Sequence, residues 1–412
     1  MMEDDIDIDF SNEISKQEES QLREYYDTLF PFDLLYDWLT INSINENEEK
    51  DKKRSFERRE FSVKISKAGK SFVIRNKSFN RIEDLKEFLK GRQGNDGVYE
   101  VPERLDIGPV FSWEPSKMST VSAQDYHPVS KELVFDIDVD DYNPIRVCCA
   151  STSLCEKCWG FLAVSADFID NYLRECFGFQ QIMYVFSGRR GLHVWVSDRS
   201  AQYLNKENRA SIINHIRIEI NQNQIPILRR SFDQILLPHF ENHVLEDQQI
   251  FTNEKQRKYF LALLPITYKR QDRKITITPS EDIEKKLTEI QNEELTNSQI
   301  WFAVKSYLQD NNLIDHLYNI VFHYTMPRID EPVSIGFNHL LKSPFCIHPD
   351  TKKLCIPLDI NEIHKFNPNQ VPTLDQLIAD PKLFNKFKQM FKNHVNQMKL
   401  KYNLTIQDPM DF

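Results

Sequence analysis

Glycine is scarce in this chain, at 10 residues of 412, against roughly 7% in an average protein. Few turns can rest on a left-handed backbone, so two glycines that fall close together mark a place where the chain needs them. Long apolar runs are missing as well. No stretch approaches the ~18 consecutive apolar residues that a membrane-spanning helix requires, which excludes a helical membrane anchor. The first ten residues, MMEDDIDIDF, are too acidic for a secretory or mitochondrial targeting segment, so an intracellular protein is expected. Cysteine is limited to seven residues. In a reducing compartment disulfides are not expected, and clustered cysteines point to metal or redox chemistry instead.

What is present fits a folded protein. At 40% apolar, 28% charged and 12% aromatic, the chain reads as globular rather than fibrous or wholly disordered, and its length allows two or three domains. The formal charge of −10 argues on its face against a nucleic-acid partner. The acidity is local, however. Residues 1 to 20 hold Glu3, Asp4, Asp5, Asp7, Asp9, Glu13, Glu18 and Glu19 against Lys16. Of the −10, they account for −7 and leave −3 for the other 392 residues. A nearly neutral body can still carry a basic cleft.

The acidic stretch, residues 1–22, is expected to be a disordered tail, because it holds too little apolar surface to offset the entropy of ordering. YYDTLFPFDLLYDWL (25 to 39) reads as a helix and an apolar anchor, and NSINENEEKDKKR as a polar connection. FSVKI, SFVIR, LVFDIDV, QIMYVF and LHVWV read as strands. From about 201 the pattern turns helical, with Ile212, Ile213, Ile216 and Ile220 at helical spacing. A strand-like, loop-rich stretch follows from PRIDEPVS to KKLCIPLDI. Asp380 and Pro381 then fit a helix start, with Phe384, Phe387, Phe391 and Met398 on one face. No internal repeat is evident.

Five motifs carry chemistry. In LVFDIDVDDY, strand alternation puts Val134, Asp136, Asp138 and Asp140 on one face and Leu133, Phe135, Ile137 and Val139 on the other. Like charges two residues apart repel, and the row makes sense if a hard divalent ion such as Mg²⁺ lies across it. A solvated strand face fits an isolated DxD equally well. In PRID, Arg328 and Asp330 share a face if the segment is extended, and Asp330 is the candidate third carboxylate for a two-metal site. Ser187-Gly188-Arg189-Arg190-Gly191-Leu192-His193 lies between two strands and spends two of the ten glycines. It offers a tight turn with donors suited to a triphosphate, ahead of a hairpin with incidental arginines. Cys148, Cys149, Cys155 and Cys158 have the spacing of a closed, structural zinc site, with a redox CxxC and an iron-sulfur cluster as the competing readings. Farther on, NHLLKSPFCIHP supplies Lys342 as a point charge and His348. His239 and His243 stand at i, i+4 without an evident third ligand, and are left unassigned.

The ordered set KELVFDIDVDDY, RVCCASTSLCEKCW, YVFSGRRGLHVWV, PRID and NHLLKSPFCIHP resembles the small catalytic subunit of the archaeal and eukaryotic DNA primase, most closely the eukaryotic type, over residues 23 to 370. The resemblance implies an α+β fold: a mixed α/β prim catalytic domain with a zinc knuckle and an inserted helical subdomain. Its first part would be residues 23–200 with the knuckle at 148–158, the helical subdomain 201–320, the second part 321–370, and a C-terminal helical segment 371–412. It implies Mg²⁺ or Mn²⁺ on Asp136, Asp138 and Asp330, and structural Zn²⁺ on Cys148, Cys149, Cys155 and Cys158. It also implies nucleotide binding by Ser187, Gly188, Arg189, Arg190, Gly191, His193, Arg328, Lys342 and His348, with Glu60 in REFS, Arg75 in VIR and Asp106 in DIG. Pro332 and Pro109 depart from the family pattern without touching a proposed ligand.

The expected activity is DNA-templated synthesis of short RNA primers from ribonucleoside triphosphates on single-stranded DNA, by two-metal nucleotidyl transfer. Expected partners are an iron-sulfur large primase subunit and the DNA polymerase alpha catalytic and accessory subunits, in the nucleus. A noncatalytic nucleic-acid-binding homologue and a metal-dependent nuclease are the alternatives. The first should have lost a carboxylate or the SGRRG donors, and the second has no need of a triphosphate cradle.

Overall fold

The structure, a computed structural model, describes residues 15–44, 47–67, 70–93, 99–217, 226–270, 275–290 and 295–407. Most of the expected acidic tail, residues 1–14, and Ile220 of the helical pattern lie outside them. Residues 16–22 do not belong to a tail. Helix α1 (Lys16–Thr28) begins there because Ser15 caps it, accepting from the Glu18 N–H at 3.1 Å, and Glu18 and Glu19 favour the positive helix start. Leu22, Tyr25 and Tyr26 are buried, and Glu18 pairs with Lys352. α2 (Phe32–Thr40) follows. The expected polar connection contains a further helix, α3 (Glu48–Glu57), capped by Asn47 and supported by a Glu48–Lys52 pair at 2.8 Å. Its charged sequence hid it, since only Phe56 gives it an apolar anchor in the core.

The strands that build the site are β1 (Arg59–Lys67), β2 (Lys70–Lys77), β3 (Arg104–Phe111), β4 (Pro128–Ser130), β5 (Leu133–Asp138), β6 (Ile182–Phe186), β7 (Gly191–Val196), β8 (Leu341–Lys342) and β9 (Ile356–Leu358). They form two antiparallel sheets. One has the order β8-β3-β1-β2 with β4 on β3, and the other β9-β6-β7-β5. Pro109 does not interrupt β3. The register steps from Arg59↔Val110 to Phe61↔Ile107, so Gly108 and Pro109 occupy a bulge, where a residue without an N–H is tolerated.

Helix α4 (Glu156–Phe177) lies against the second sheet. Trp159, Leu162, Ala163, Ala166, Ile169 and Leu173 repeat at three- and four-residue spacing and are buried, and Gly178 ends the helix at φ 69°. α5 (Lys206–Ile216), a helical run from Pro226 to Asp247, and the helices Asn297–Asp310 and Ile314–Thr325 make the helical region, interrupted by a small hairpin at 268–270 and 275–277. The stretch after PRID opens with a short helix, α6 (Glu331–Ile335), rather than a strand. Asp380 caps the turn Pro381–Phe384 that leads into α7 (Asn385–Gln407). Phe384, Phe391, Val395 and Met398 are buried, and the Phe391 ring meets Trp38 at 5.7 Å. The C-terminal helix therefore packs on its own core. Among the described residues no helix is long and apolar enough to cross a membrane.

Candidate active site and cysteine cluster

β5 and β7 pair so that Asp136 faces His193 and Asp138 faces Gly191. The antiparallel ladder thus lays the FDID carboxylates directly beside the SGRRGLH turn, although about 50 residues separate them in sequence. β5 is buried along Leu133–Phe135 and at Ile137, and the polar face starts only at Asp136. Val134 belongs to the core, and Asp140 lies on the turn after the strand. Asp330, which caps α6, comes in from a third segment: its N–H donates to the Asp136 carbonyl at 2.9 Å.

One cleft is lined by Asp136, Asp138, Asp106, Arg104, Ser187, Arg189, Arg190, His193, Lys342 and His348. Arg190 Nε donates to Asp138 Oδ2 at 2.8 Å, and its Nη1 lies 3.2 Å from Asp140. Lys342 pairs with Asp106 across the β8–β3 ladder and donates to the Ser187 carbonyl at 3.1 Å. Arg189 pairs with Asp350 and also reaches Thr152 of the cysteine loop at 3.2 Å. Gly188 is at φ +86°, where a Cβ would fall 2.8 Å from the His348 Cβ. The scarce glycines are spent where two backbones must approach.

Asp138 and Asp106 have arginine partners, whereas Asp136 Oδ1 has none. Burial, then the charges of Asp138 and Asp330, push the Asp136 carboxyl up to about 8, and burial raises Asp138 as well. Asp136 Oδ1 is buried without a hydrogen-bond partner, with His193 Nε2 still 3.6 Å away. An orphaned, buried acceptor among like charges is costly unless a cation meets it. Burial and nearby Lys342 hold His193 down at about 3 and His348 at about 2, so both rings are neutral.

Five of the expected nucleotide-binding residues stand outside this lining: Gly188 and Gly191, which shape the turn, and Glu60, Arg75 and Arg328. Arg328 turns away: its guanidinium lies over the Tyr142 ring at 5.1 Å and donates to the Asp141 carbonyl at 2.6 Å. Glu60 is buried and held by Arg75 at 3.1 Å, with Asn76 N–H also donating to it. That pair is satisfied internally on β1 and β2.

The four cysteine sulfurs come together, with their ligand atoms all within 4.8 Å of one another. They are free thiols, and Cys155 and Cys158 sulfurs are 3.7 Å apart. Cys158 is held down at about 5, first by a hydrogen bond from Cys148, then by the Cys155 N–H and Arg146. A group of four such sulfurs can hold a structural metal.

The DNA primase small subunit family model matches residues 135–360. DNA primase small subunits that the chain resembles include those of Schizosaccharomyces pombe, at 33% identity over 87% of this chain and 76% of that protein, and Drosophila melanogaster, at 31% over 89% and 82%. The corresponding protein of Picrophilus torridus is 26% identical over 81% and 82%. The chain belongs to the DNA primase small subunit family. With that membership comes the family's role: it is a nucleotidyltransferase, the catalytic subunit of a DNA primase acting in replication.

Several residues around this primase cleft escaped the sequence reading. Arg104 grips Asp106 at 2.9 Å from the cleft wall, and the R-x-D alternation on a strand was a usable signal. Arg146 donates to Asn143, to the Ser151 and Ser153 carbonyls and to Cys158 Sγ, which fastens the cysteine loop. Lys131 donates to the Gly336 and His339 carbonyls at 2.9 and 2.7 Å, which fastens the loop that follows Asp330. Neither had a sequence signal.

Proposed function

We propose that the chain joins ribonucleoside triphosphates on a single-stranded DNA template into short RNA primers, at the cleft between β5, β7 and β8. The observation that carries this reading is the orphaned Asp136 Oδ1 at the meeting point of three carboxylates, facing a cationic glycine turn. The donor set is all oxygen and suits Mg²⁺ or Mn²⁺. Asp136, Asp138 and Asp330 would hold the metal. When bound, such ions lower the pKa of the attacking 3′-hydroxyl and neutralise charge on the triphosphate.

The chain's own residues do the rest by positioning and charge. Arg189, Arg190 and Lys342 bind phosphate oxygens, and Arg190 bridges from Asp138 and Asp140 toward that charge. His193 and His348, kept neutral by burial, offer N–H donors without adding repulsion to the cationic wall. Ser187 and Gly188 fix the turn, while Asp106 and Arg104 hold Lys342 in place from β3. Glu60, Arg75 and Arg328 act from outside the lining, by supporting β1, β2 and the approach to Asp330.

The catalytic domain is residues 23–200 and 321–370, with the helical subdomain at 201–320 between them. The cysteines at 148–158 form a zinc knuckle whose Thr152 braces Arg189. Template contact is mostly with phosphates and salt-sensitive. A large primase subunit bearing an iron-sulfur cluster, and the DNA polymerase alpha catalytic and accessory subunits, complete the assembly in the nucleus.

The test is incubation of the purified chain with a single-stranded template, labelled ATP and Mn²⁺. Templated oligoribonucleotide is the expected product. Cleavage of the template, or binding with no product, would overturn the reading in favour of a nuclease or a noncatalytic module.

A further inference from the structure

A second group of metal-ligating side chains lies apart from both sites above. His239 and His243 come from the helical run Pro226–Asp247, and His364 from the turn Ile360–Lys365. A nitrogen from each of the three rings lies within 4.8 Å of the others, and the ring centroids are 4.9, 5.8 and 6.2 Å apart.

Three features make this more than a chance grouping. His239 is 6% exposed, and neither of its ring nitrogens has a hydrogen-bond partner. A buried imidazole left wholly unsatisfied is costly, and a metal ion would remove the cost. The two outer rings each carry a carboxylate: Asp167 Oδ2 contacts His364 Nε2, and Asp247 Oδ2 lies 3.9 Å from His243 Nδ1. The Asp167 contact is the supporting arrangement that orients a histidine ligand and leaves its opposite nitrogen free, while Asp247 stands near His243 beyond hydrogen-bond reach. Finally, the helical run is wound as a π-helix over Phe240–Val244, a segment that starts directly after His239 and contains His243. Such windings often mark functional positions.

We propose that His239, His243 and His364 bind a divalent transition-metal ion, zinc by the chemistry of the donors, at a site distinct from the four cysteines. Three imidazoles with a fourth position open to water suit Zn²⁺, whereas Mg²⁺ prefers oxygen. The ion joins segments more than 100 residues apart, the helical run and the turn anchored to α4 through Trp159 Nε1 and the Ile363 carbonyl at 2.8 Å. It would act as a clamp between the helical region and the sheet-bearing core.

The experiment uses the untagged full chain, stripped by chelator and reloaded with Zn²⁺ or Co²⁺. Metal per chain is measured for the parent protein and for His243→Ala and His364→Ala, whose side chains are exposed enough to be removed without unfolding. Each variant should hold one equivalent less than the parent, while the sulfur-to-cobalt absorption of the cysteine site stays unchanged. Asp167→Asn should weaken the lost equivalent by about 10- to 100-fold. Metal content equal to the parent's in both histidine variants overturns the proposal, as does loss of the sulfur-to-cobalt band in place of the histidine equivalent.

Discussion

Gly191 stands directly across the β5–β7 ladder from Asp138, and a Cβ at that position would overlap the Asp138 Oδ1. The N–H of Gly191 also donates to Ser187 Oγ at 2.9 Å. Gly191→Ala must therefore displace either a proposed metal ligand or the turn that faces it. Primer synthesis is expected to fall by at least ~100-fold, the scale on which small misplacements act at an active site. Zinc content should be unchanged. An alanine variant with parent-like kcat would mean that the Asp138 position does not matter to the chemistry.

Removing the carboxylates separates catalysis from stability. Asp138→Ala and Asp330→Ala should abolish synthesis with the fold intact. Asp136→Asn should also be inactive, yet melt at a higher temperature than the parent in chelator. The sign follows from the raised folded pKa of about 8. A raised carboxyl contributes its stability below the unfolded value and loses it as pH rises, so at neutral pH the folded chain must keep a proton that the unfolded carboxylate has released, a cost that asparagine lifts. A lower melting temperature for Asp136→Asn would refute the account of the cluster.

Lys131 ties the loop that positions Asp330. Its ammonium bridges the Gly336 and His339 carbonyls, and α5 braces the same region through Arg209, whose guanidinium lies 4.8 Å over the Phe337 ring. Lys131→Met fills the volume but leaves those carbonyls unpaired, at about 1–3 kcal/mol. Urea denaturation should register that loss, and synthesis should fall with it. Equal urea midpoints would show that water replaces the ammonium freely.

The cysteine group should behave as a closed structural site. Cys155→Ser is expected to reduce zinc per chain and lower the melting temperature, because metal binding in such sites contributes directly to folding. Zinc content equal to that of the parent would mean that these sulfurs are not the ligands.

Much of this was legible in the sequence because local patterns carry it. LVFDID and LHVWV announce strands through β-branched and aromatic residues, and a glycine-poor chain makes SGRRG conspicuous. Register was not legible: nothing local says that Asp136 faces His193, since pairing is set by how two distant strands bury their apolar residues. α3 was missed because charged residues dominate it and Phe56 alone fixes it. Arg328 was misplaced because an extended PRID allows either face, and Tyr142 decides the matter. His364 could not be joined to His239 and His243 from sequence, because only the packing of the 360–365 turn on α4 brings them together.

Acid should destabilise the fold through a histidine remote from the carboxylates. His394, on α7, is half-buried with its Nε2 enclosed and unpaired, and that desolvation holds it down at about 4. The unfolded ring titrates near 6.5. Between these values the unfolded chain binds a proton that the folded chain refuses, so the stability present above pH 6.5 is lost as pH falls toward 4. The slope for one such ring is about 1.4 kcal/mol per pH unit. Urea titrations between pH 7.5 and 5 should show this dependence, and His394→Asn should reduce the slope by that amount. Because His394 lines no part of the cleft, primer synthesis by the variant at pH 7.5 should stay near the parent's. Parallel pH profiles for the two proteins would mean that His394 is protonated inside the folded chain, and that Asp198, which favours the charged ring, outweighs burial.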